Sequence, residues 1–289
     1  MRTTVSNGFD NVDVQVTEGF GDEWSRFPQD QLSDADKEKV FADYFSIFPW
    51  ALLPEGGGIG ADLGCGSGRW ATLMAPKAAK LHCLDASSTA LAVARKNVTL
   101  ACNNLPCEVE FHHASVGDPP FPDASLDFAY SLGVLHHIPD TEQAIVSISA
   151  KLKKGAPFLV YLYYAFDNRP SWYRGLWKAS EIFRWGTSRL PFGLRFVVSQ
   201  IFAAVIYWPF ARFGLLLERL QMLPAAWPLG YYRDKAFYVM RTDALDRFGT
   251  RLEKRFTRRQ IRAMLEAAEF GDIRFSEQAP FWVAVGIKK

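Results

Sequence analysis

Cysteine is scarce in this chain: Cys65, Cys83, Cys102 and Cys107 are the only four in 289 residues. No two form a C-x-x-C pair and none has a partner at zinc-ligand spacing, so a zinc ribbon or a dithiol redox centre is excluded and no metal site is expected. Cys65 and Cys83 fall at the ends of apolar strand-like runs, which suits reduced thiols in a cytosolic protein rather than a disulfide framework. Charge of one sign is also lacking. Lys and Arg number 33 against 31 Asp and Glu, so the whole chain offers no electrostatic case for nucleic acid. The start, Met1 to Asn7, has no apolar core after Arg2 and does not read as a signal peptide. Paired carboxylates and a Ser/His/Asp order are missing too, which argues against a hydrolase or a metalloenzyme.

What is present begins at Ala61, in the run Ala61-Asp-Leu-Gly-Cys-Gly-Ser-Gly-Arg69. Gly64, Gly66 and Gly68 alternate along it, letting the backbone turn tightly and approach a ligand with no Cβ in the way. Asp62, two residues before the first glycine, offers a nucleoside cofactor a charged edge. The G-x-G-x-x-G dinucleotide fingerprint fits poorly, because Gly68 comes one residue early. A second strand, from Lys80, ends in Asp85, about 20 residues after the loop, where a doubly wound α/β domain places a carboxylate for ribose hydroxyls. Ala90, Leu91, Val93, Ala94 and Val98 then form a helical apolar stripe, and Val109 to His113 a third strand leading to Ala114-Ser115-Val116. A fourth signal runs from Phe121 through Asp127 and Ser131-Leu132 to Leu135-His136-His137-Ile-Pro139-Asp140.

These four signals, in this order over roughly residues 40 to 165, resemble the class I S-adenosylmethionine-dependent methyltransferases. The Leu-His-His-Ile-Pro-Asp ending is similar to the ubiquinone/menaquinone-type and related small-molecule enzymes of that group. The resemblance implies an α/β fold: a Rossmann-like seven-stranded sheet of order 3-2-1-4-5-7-6 with the last strand antiparallel, helices on both faces and a helical insertion. It implies S-adenosyl-L-methionine as cofactor, giving S-adenosyl-L-homocysteine, held by Asp62, Gly64, Cys65, Gly66, Gly68, Asp85, Ala86, Ser115, Val116, Ser131 and Leu132. Ser115 stands where many members have an Asp that bonds the adenine amino group; a hydroxyl can still accept that bond. No Asn-Pro-Pro-Tyr-type motif follows the fourth strand, which sets aside planar exocyclic amines as substrate.

The chain divides into residues 1–35, a polar and turn-rich lid or strap; 36–167, the cofactor domain; 168–254, an inserted cap; and 255–289, the end of the sheet. In the first part Trp24 and Phe27 either close over the cofactor or acceptor, or pack on the domain's exterior. A helix follows, capped by Ser33 or Asp34, with Val40, Phe41, Tyr44, Phe45 and Phe48 as its buried face. The insertion is rich in arginine and aromatics, and Phe196 to Leu217 is almost wholly apolar. Three readings stand: a transmembrane span, opposed by Gln200, Pro209 and Arg212; two helices broken at Pro209 that cap an acceptor pocket; or a cap that also dips into a membrane surface through residues 196–217.

Methyl transfer to oxygen calls for a base that works near neutral pH, and histidine suits it. His137 and His136 are the candidates, with a pocket-shaping role as the alternative for either. His112 and His113 belong to the adenine side or pack at the strand end, and Asp140 reads as a helix N-cap. Tyr231, Tyr232 and Arg233 either read a polar acceptor or form an ordinary surface loop. The expectation is methyl transfer to a small amphipathic or anionic molecule (a lipid-linked intermediate, a quinone precursor or a secondary metabolite) by a cytoplasmic enzyme, peripheral to the inner face of a membrane if the cap docks there. Two competitors are a membrane-docked or regulatory protein that binds the cofactor without transfer and, more weakly, a polyamine-synthase-like use of the fold.

Overall fold

The computed structural model describes residues 10–29, 32–102 and 108–289. Cys107 and the first nine residues, with the signal-peptide question, lie outside them. Strands β1 (Ile59–Leu63), β2 (Lys80–Asp85), β3 (Val109–His113), β4 (Phe128–Leu132), β5 (Pro157–Tyr161), β6 (Phe270–Phe275) and β7 (Val283–Lys288) form one sheet. Its order is β3-β2-β1-β4-β5-β7-β6, with β7 antiparallel to both neighbours, as the resemblance implied. The central strands are buried along their length, β4 at every position, which is why they read as continuous apolar runs.

Helices cover both faces. On one, α2 (Asp34–Phe45), α3 (Ala71–Met74) and α4 (Ser88–Ala101) pack Phe41, Phe45, Met74, Leu91 and Ala94 on the sheet. On the other, α5 (Thr141–Lys151) and α10 (Arg258–Ala267) contribute Ile145, Ile148, Ile261 and Leu265. Caps fix their starts: Ser33 accepts from the Asp36 amide, Asp140 from Gln143, and Thr257 with Gln260 completes a capping box.

The N-terminal segment departs from its turn-rich reading. Asp13 caps α1 (Val14–Arg26), a full helix whose Val16, Phe20 and Trp24 share one face. Residues 168–254 fold into α6 (Ser171–Thr187), α7 (Phe192–Phe202), α8 (Trp208–Arg219) and α9 (Phe237–Gly249). Pro209 does not break the chain there. A π-helical turn at Ala203–Tyr207 joins α7 to α8, and Pro209 sits in the first turn of α8, where a missing amide is tolerated, so one helix runs 28 residues from Phe192 to Arg219.

Candidate active site

At the carboxyl ends of β1, β2 and β4 the chain encloses a cavity of about 970 Å³. Its floor is the glycine loop. The amides of Gly64 and Cys65 both donate to the Leu84 carbonyl, at 2.8 and 2.9 Å, tying the loop to β2. Gly64 has φ +84° and its absent Cβ would lie 2.4 Å from Val134; Gly66 has φ +54° and would meet the Trp24 indole at 2.8 Å. Both positions therefore need glycine twice over, for conformation and for space. Asp85 is held from beneath. Its Oδ1 accepts from the Ser87 amide and its Oδ2 from Gly66, each at 2.8 Å. Burial raises its pKa and those two donors oppose the rise. Each oxygen retains a lone-pair site, the arrangement that accepts two hydroxyls of a ribose.

Arg69 closes the cradle. Its Nε donates to Gln29 at 3.1 Å, its guanidinium lies over Trp24 and Trp70, and Nη2 is buried with no hydrogen-bond partner among the described residues. A buried guanidinium nitrogen left unpaired on a cavity wall matches a ligand carboxylate. Ser115 accepts the Gly117 amide at 2.9 Å, so its hydroxyl keeps its proton and one lone pair for a ligand.

Above the cradle stands His137, 2 % exposed, in the short turn after β4. Its Nδ1 lies 2.7 Å from the Leu252 carbonyl. A carbonyl can only accept, so Nδ1 carries the proton and the lone pair of the neutral ring is on Nε2. That atom lies 3.3 Å from Oδ1 of Asp246, on α9, and among the described residues neither makes an aligned hydrogen bond elsewhere. Tyr163 donates to Oδ2 of the same carboxylate. Burial works against the charge on Asp246; a proton on Nε2 of His137 and the Tyr163 hydroxyl oppose it, and together they hold its pKa below the usual value. Asp243 and Glu23 are among the further carboxyls that line the cavity. Asp243 accepts from Tyr232 at 2.8 Å and burial pushes it up to about 6; Glu23 is raised by burial and by Asp246 and Asp243.

Of the residues singled out in the sequence, the cavity is lined by Gly64, Cys65, Gly66, Asp85, Ala86, Ser115, Val116, Leu132, His137, Trp24, Tyr231, Tyr232 and Arg233. Five others stand apart from it. Asp62 is wholly buried beneath the loop beside Tyr130, with burial pushing its carboxyl up to about 8, so it offers no charged edge to a ligand. Gly68 packs against Ala94 and Val98 of α4, and Ser131 donates to the Leu63 carbonyl at 2.7 Å inside the sheet. His136 is buried and stacked on Tyr163, its basicity suppressed by burial and by the neighbouring His137. Phe27 ends α1 and turns into the cluster of Tyr238 and Phe196, away from the cavity that Trp24 lines.

Sequence reasoning missed Arg69, Glu23, Tyr163, Asp243 and Asp246. Arg69 was in view as the last residue of the glycine motif, whereas Tyr163 and Asp246 meet only through the fold. The sheet also gathers His82, Glu110 and His112 within 4.8 Å at the β2–β3 edge, a grouping that spacing along the chain conceals. There Lys80 bonds Glu110 at 2.7 Å and supplies the positive charge a cation would bring.

Residues 61–160 match the family described as Methyltransferase domain. An O-methyltransferase of Aspergillus nomiae is 33 % identical over 100 residues, 33 % of this chain and 42 % of that protein. The 27-O-demethylrifamycin SV methyltransferase of Amycolatopsis mediterranei is 31 % identical over 99 residues, 32 % of this chain and 34 % of that one. The chain thus spans less than half the length of these curated relatives. Among solved structures, an S-adenosyl-L-methionine-dependent methyltransferase from Methanococcus maripaludis superposes with a TM-score of 0.51 at 14 % identity, over 97 % of this chain and 96 % of that one, which shows a shared fold.

Proposed function

We propose that this chain, whose residues 61–160 match the Methyltransferase domain family, is an S-adenosylmethionine-dependent methyltransferase of class I that methylates a hydroxyl oxygen of an amphipathic small molecule. The cofactor is S-adenosyl-L-methionine, and the unpaired Nη2 of Arg69 is the observation against which its fit is tested. In this reading Arg69 holds the cofactor's amino-acid carboxylate, Asp85 the ribose hydroxyls, and Ser115 and Val116 flank the base. When bound, the cofactor supplies a methyl group activated on a sulfonium sulfur.

The rest belongs to the protein. The observation that carries the reading is Nε2 of His137, the ring nitrogen not taken by the Leu252 carbonyl, standing 3.3 Å from the Asp246 carboxylate in the lining of the cavity. His137 takes the proton from the acceptor hydroxyl as the oxygen becomes nucleophilic. The resulting imidazolium is held by the Leu252 carbonyl at Nδ1 and the Asp246 carboxylate at Nε2. Tyr163 keeps that carboxylate ionised and in place. Phe20, which packs on the His137 ring at 5.0 Å, and Trp24, on Gly66, exclude water from one side of the site. Tyr231, Tyr232 and Arg233 then meet the acceptor's polar end, and aromatic walls from residues 168–254 meet its apolar end. Orientation in such an enclosure can supply much of the rate. That one curated relative is named an O-methyltransferase supports oxygen as the atom methylated.

The test is calorimetric titration with S-adenosyl-L-homocysteine, followed by transfer of labelled methyl groups into fractionated lipid and metabolite extracts. Binding together with label in a hydroxyl-bearing fraction is the expected result. Binding without transfer to any fraction would return the chain to a non-catalytic role, and absence of binding would end the methyltransferase reading.

A further inference from the structure

The 28-residue helix of α7 and α8 is packed inside out. The stripe it turns to the protein consists mostly of small residues, Ser199, Ala203, Ala211 and Gly214 with Tyr207, which rest on Met240, Ala244 and Phe248 of α9 or beside Trp227. The stripe it turns outward is large and apolar. Leu194, Val197, Ile201, Val205 and Trp208 recur every three or four residues and are 47 to 60 % exposed. Across from it α6 exposes Ile182, Phe183 and Trp185. A water-soluble surface does not normally carry so continuous an apolar field.

Two observations say what covers it. Residues 171–219 hold seven basic side chains against two acidic ones, Glu181 and Glu218, and both acids are paired with arginines. Arg174, Lys178 and Arg219 are exposed with no acidic partner among the described residues, so the apolar field carries unneutralised positive charge. The field is also continuous with the cavity. Leu176, Phe183, Ile206 and Phe210 line the cavity wall and are at the same time 40 to 61 % exposed.

We propose that this face lies in the surface of an anionic lipid bilayer, and that the acceptor enters the cavity sideways from the lipid leaflet, between α6 and the α7–α8 helix. Apolar residues enter the acyl boundary while the arginines, lysine and indoles sit at headgroup level. The acceptor class follows: an amphipathic molecule with an acyl or prenyl-like tail that stays in the leaflet and a hydroxylated head that reaches His137. A span is the wrong geometry for this helix, about 42 Å long. Its inner stripe is sealed against α9, and Arg212 donates from its midst to the carbonyls of Arg233 and Lys235 at 3.0 and 3.3 Å. The acceptor part of this proposal rests on the methyltransferase reading above; the docking part does not.

The experiment is flotation of the full chain with vesicles of phosphatidylcholine alone and of phosphatidylcholine mixed equally with phosphatidylglycerol. The wild type should float with the mixed vesicles and much less with the neutral ones. Ile201→Glu with Val205→Glu, outside the cavity wall, should weaken flotation about tenfold or more, and Arg174→Glu with Lys178→Glu should remove the preference for phosphatidylglycerol. Both variants should bind S-adenosyl-L-homocysteine like the wild type, which shows that they fold. Failure of the wild type to float with either vesicle overturns the proposal. So does a dimer in solution that the Ile201→Glu, Val205→Glu variant dissociates, which would give the face to a second copy, or resistance to alkaline extraction, which would make the helix a span. Loss of cofactor binding by the wild type would instead strike the methyltransferase reading and leave the flotation result to stand alone.

Discussion

Tyr163 donates its hydroxyl hydrogen bond to one oxygen of Asp246, and the other oxygen of that carboxylate lies 3.3 Å from Nε2 of His137. The three residues come from the end of the sheet, the insertion and the turn after β4. The pairing therefore joins the cofactor domain to the cap at the point where both face the cavity. Since Nδ1 of His137 is committed to a carbonyl, Asp246 is the group that meets the charge when Nε2 takes a proton.

His137→Ala should lower kcat by about a hundredfold or more, the span usual for a positioned base, with S-adenosyl-L-homocysteine affinity unchanged. Asp246→Asn should give a smaller loss of kcat, because the amide leaves the lone pair on Nε2 and withdraws only the charge that stabilises the imidazolium. Steady-state kinetics beside calorimetry separates the two effects. If His137→Ala instead weakened cofactor binding and spared kcat, His137 would be a wall of the cofactor site.

Arg69→Ala should weaken S-adenosyl-L-homocysteine binding by roughly ten- to a hundredfold, since a charge-assisted hydrogen bond contributes about 1.5–3 kcal/mol. Asp85→Ala should weaken it comparably, because it removes the ribose acceptor and strands the amides of Gly66 and Ser87. Adenosine distinguishes the two positions, as it keeps the ribose and lacks the amino-acid carboxylate. Its affinity should fall for Asp85→Ala and hold for Arg69→Ala. Equal losses for both ligands in Arg69→Ala would mean that the guanidinium only props Trp24.

The parts legible in the sequence were those that work locally. The glycine loop, the carboxylate at the end of β2 and the caps of α2 and α5 each depend on neighbours within a few residues, and the sheet order came with the resemblance to which they belong. Asp246 was hidden because its partners lie 109 and 83 positions away. Glu23 was hidden because α1, with few apolar residues, reads as a polar strap. Asp62 misled for a different reason. An acid next to a glycine loop invites a ligand role, whereas alternation along β1 turns that side chain beneath the loop. The outward stripe of α7–α8 was visible as an apolar run, but only tertiary packing shows that the small residues face in.

Asp62 gives a prediction of stability. Its buried carboxyl keeps its proton up to about pH 8 in the folded chain, while in the unfolded chain it releases the proton near ~4. The folded state therefore binds the extra proton between those values. The stability this contributes is complete below about pH 4 and is lost as the pH rises toward 8. Asp62→Asn is neutral at every pH and should flatten that decline, so its melting temperature should gain on the wild type from about pH 5 to about pH 8. Cofactor binding should be unchanged, because Asp62 does not line the cavity. Scanning calorimetry across that range, with one titration of S-adenosyl-L-homocysteine, decides the matter. Parallel melting curves together with lost binding would mean that Asp62 is ionised and acts on the ligand.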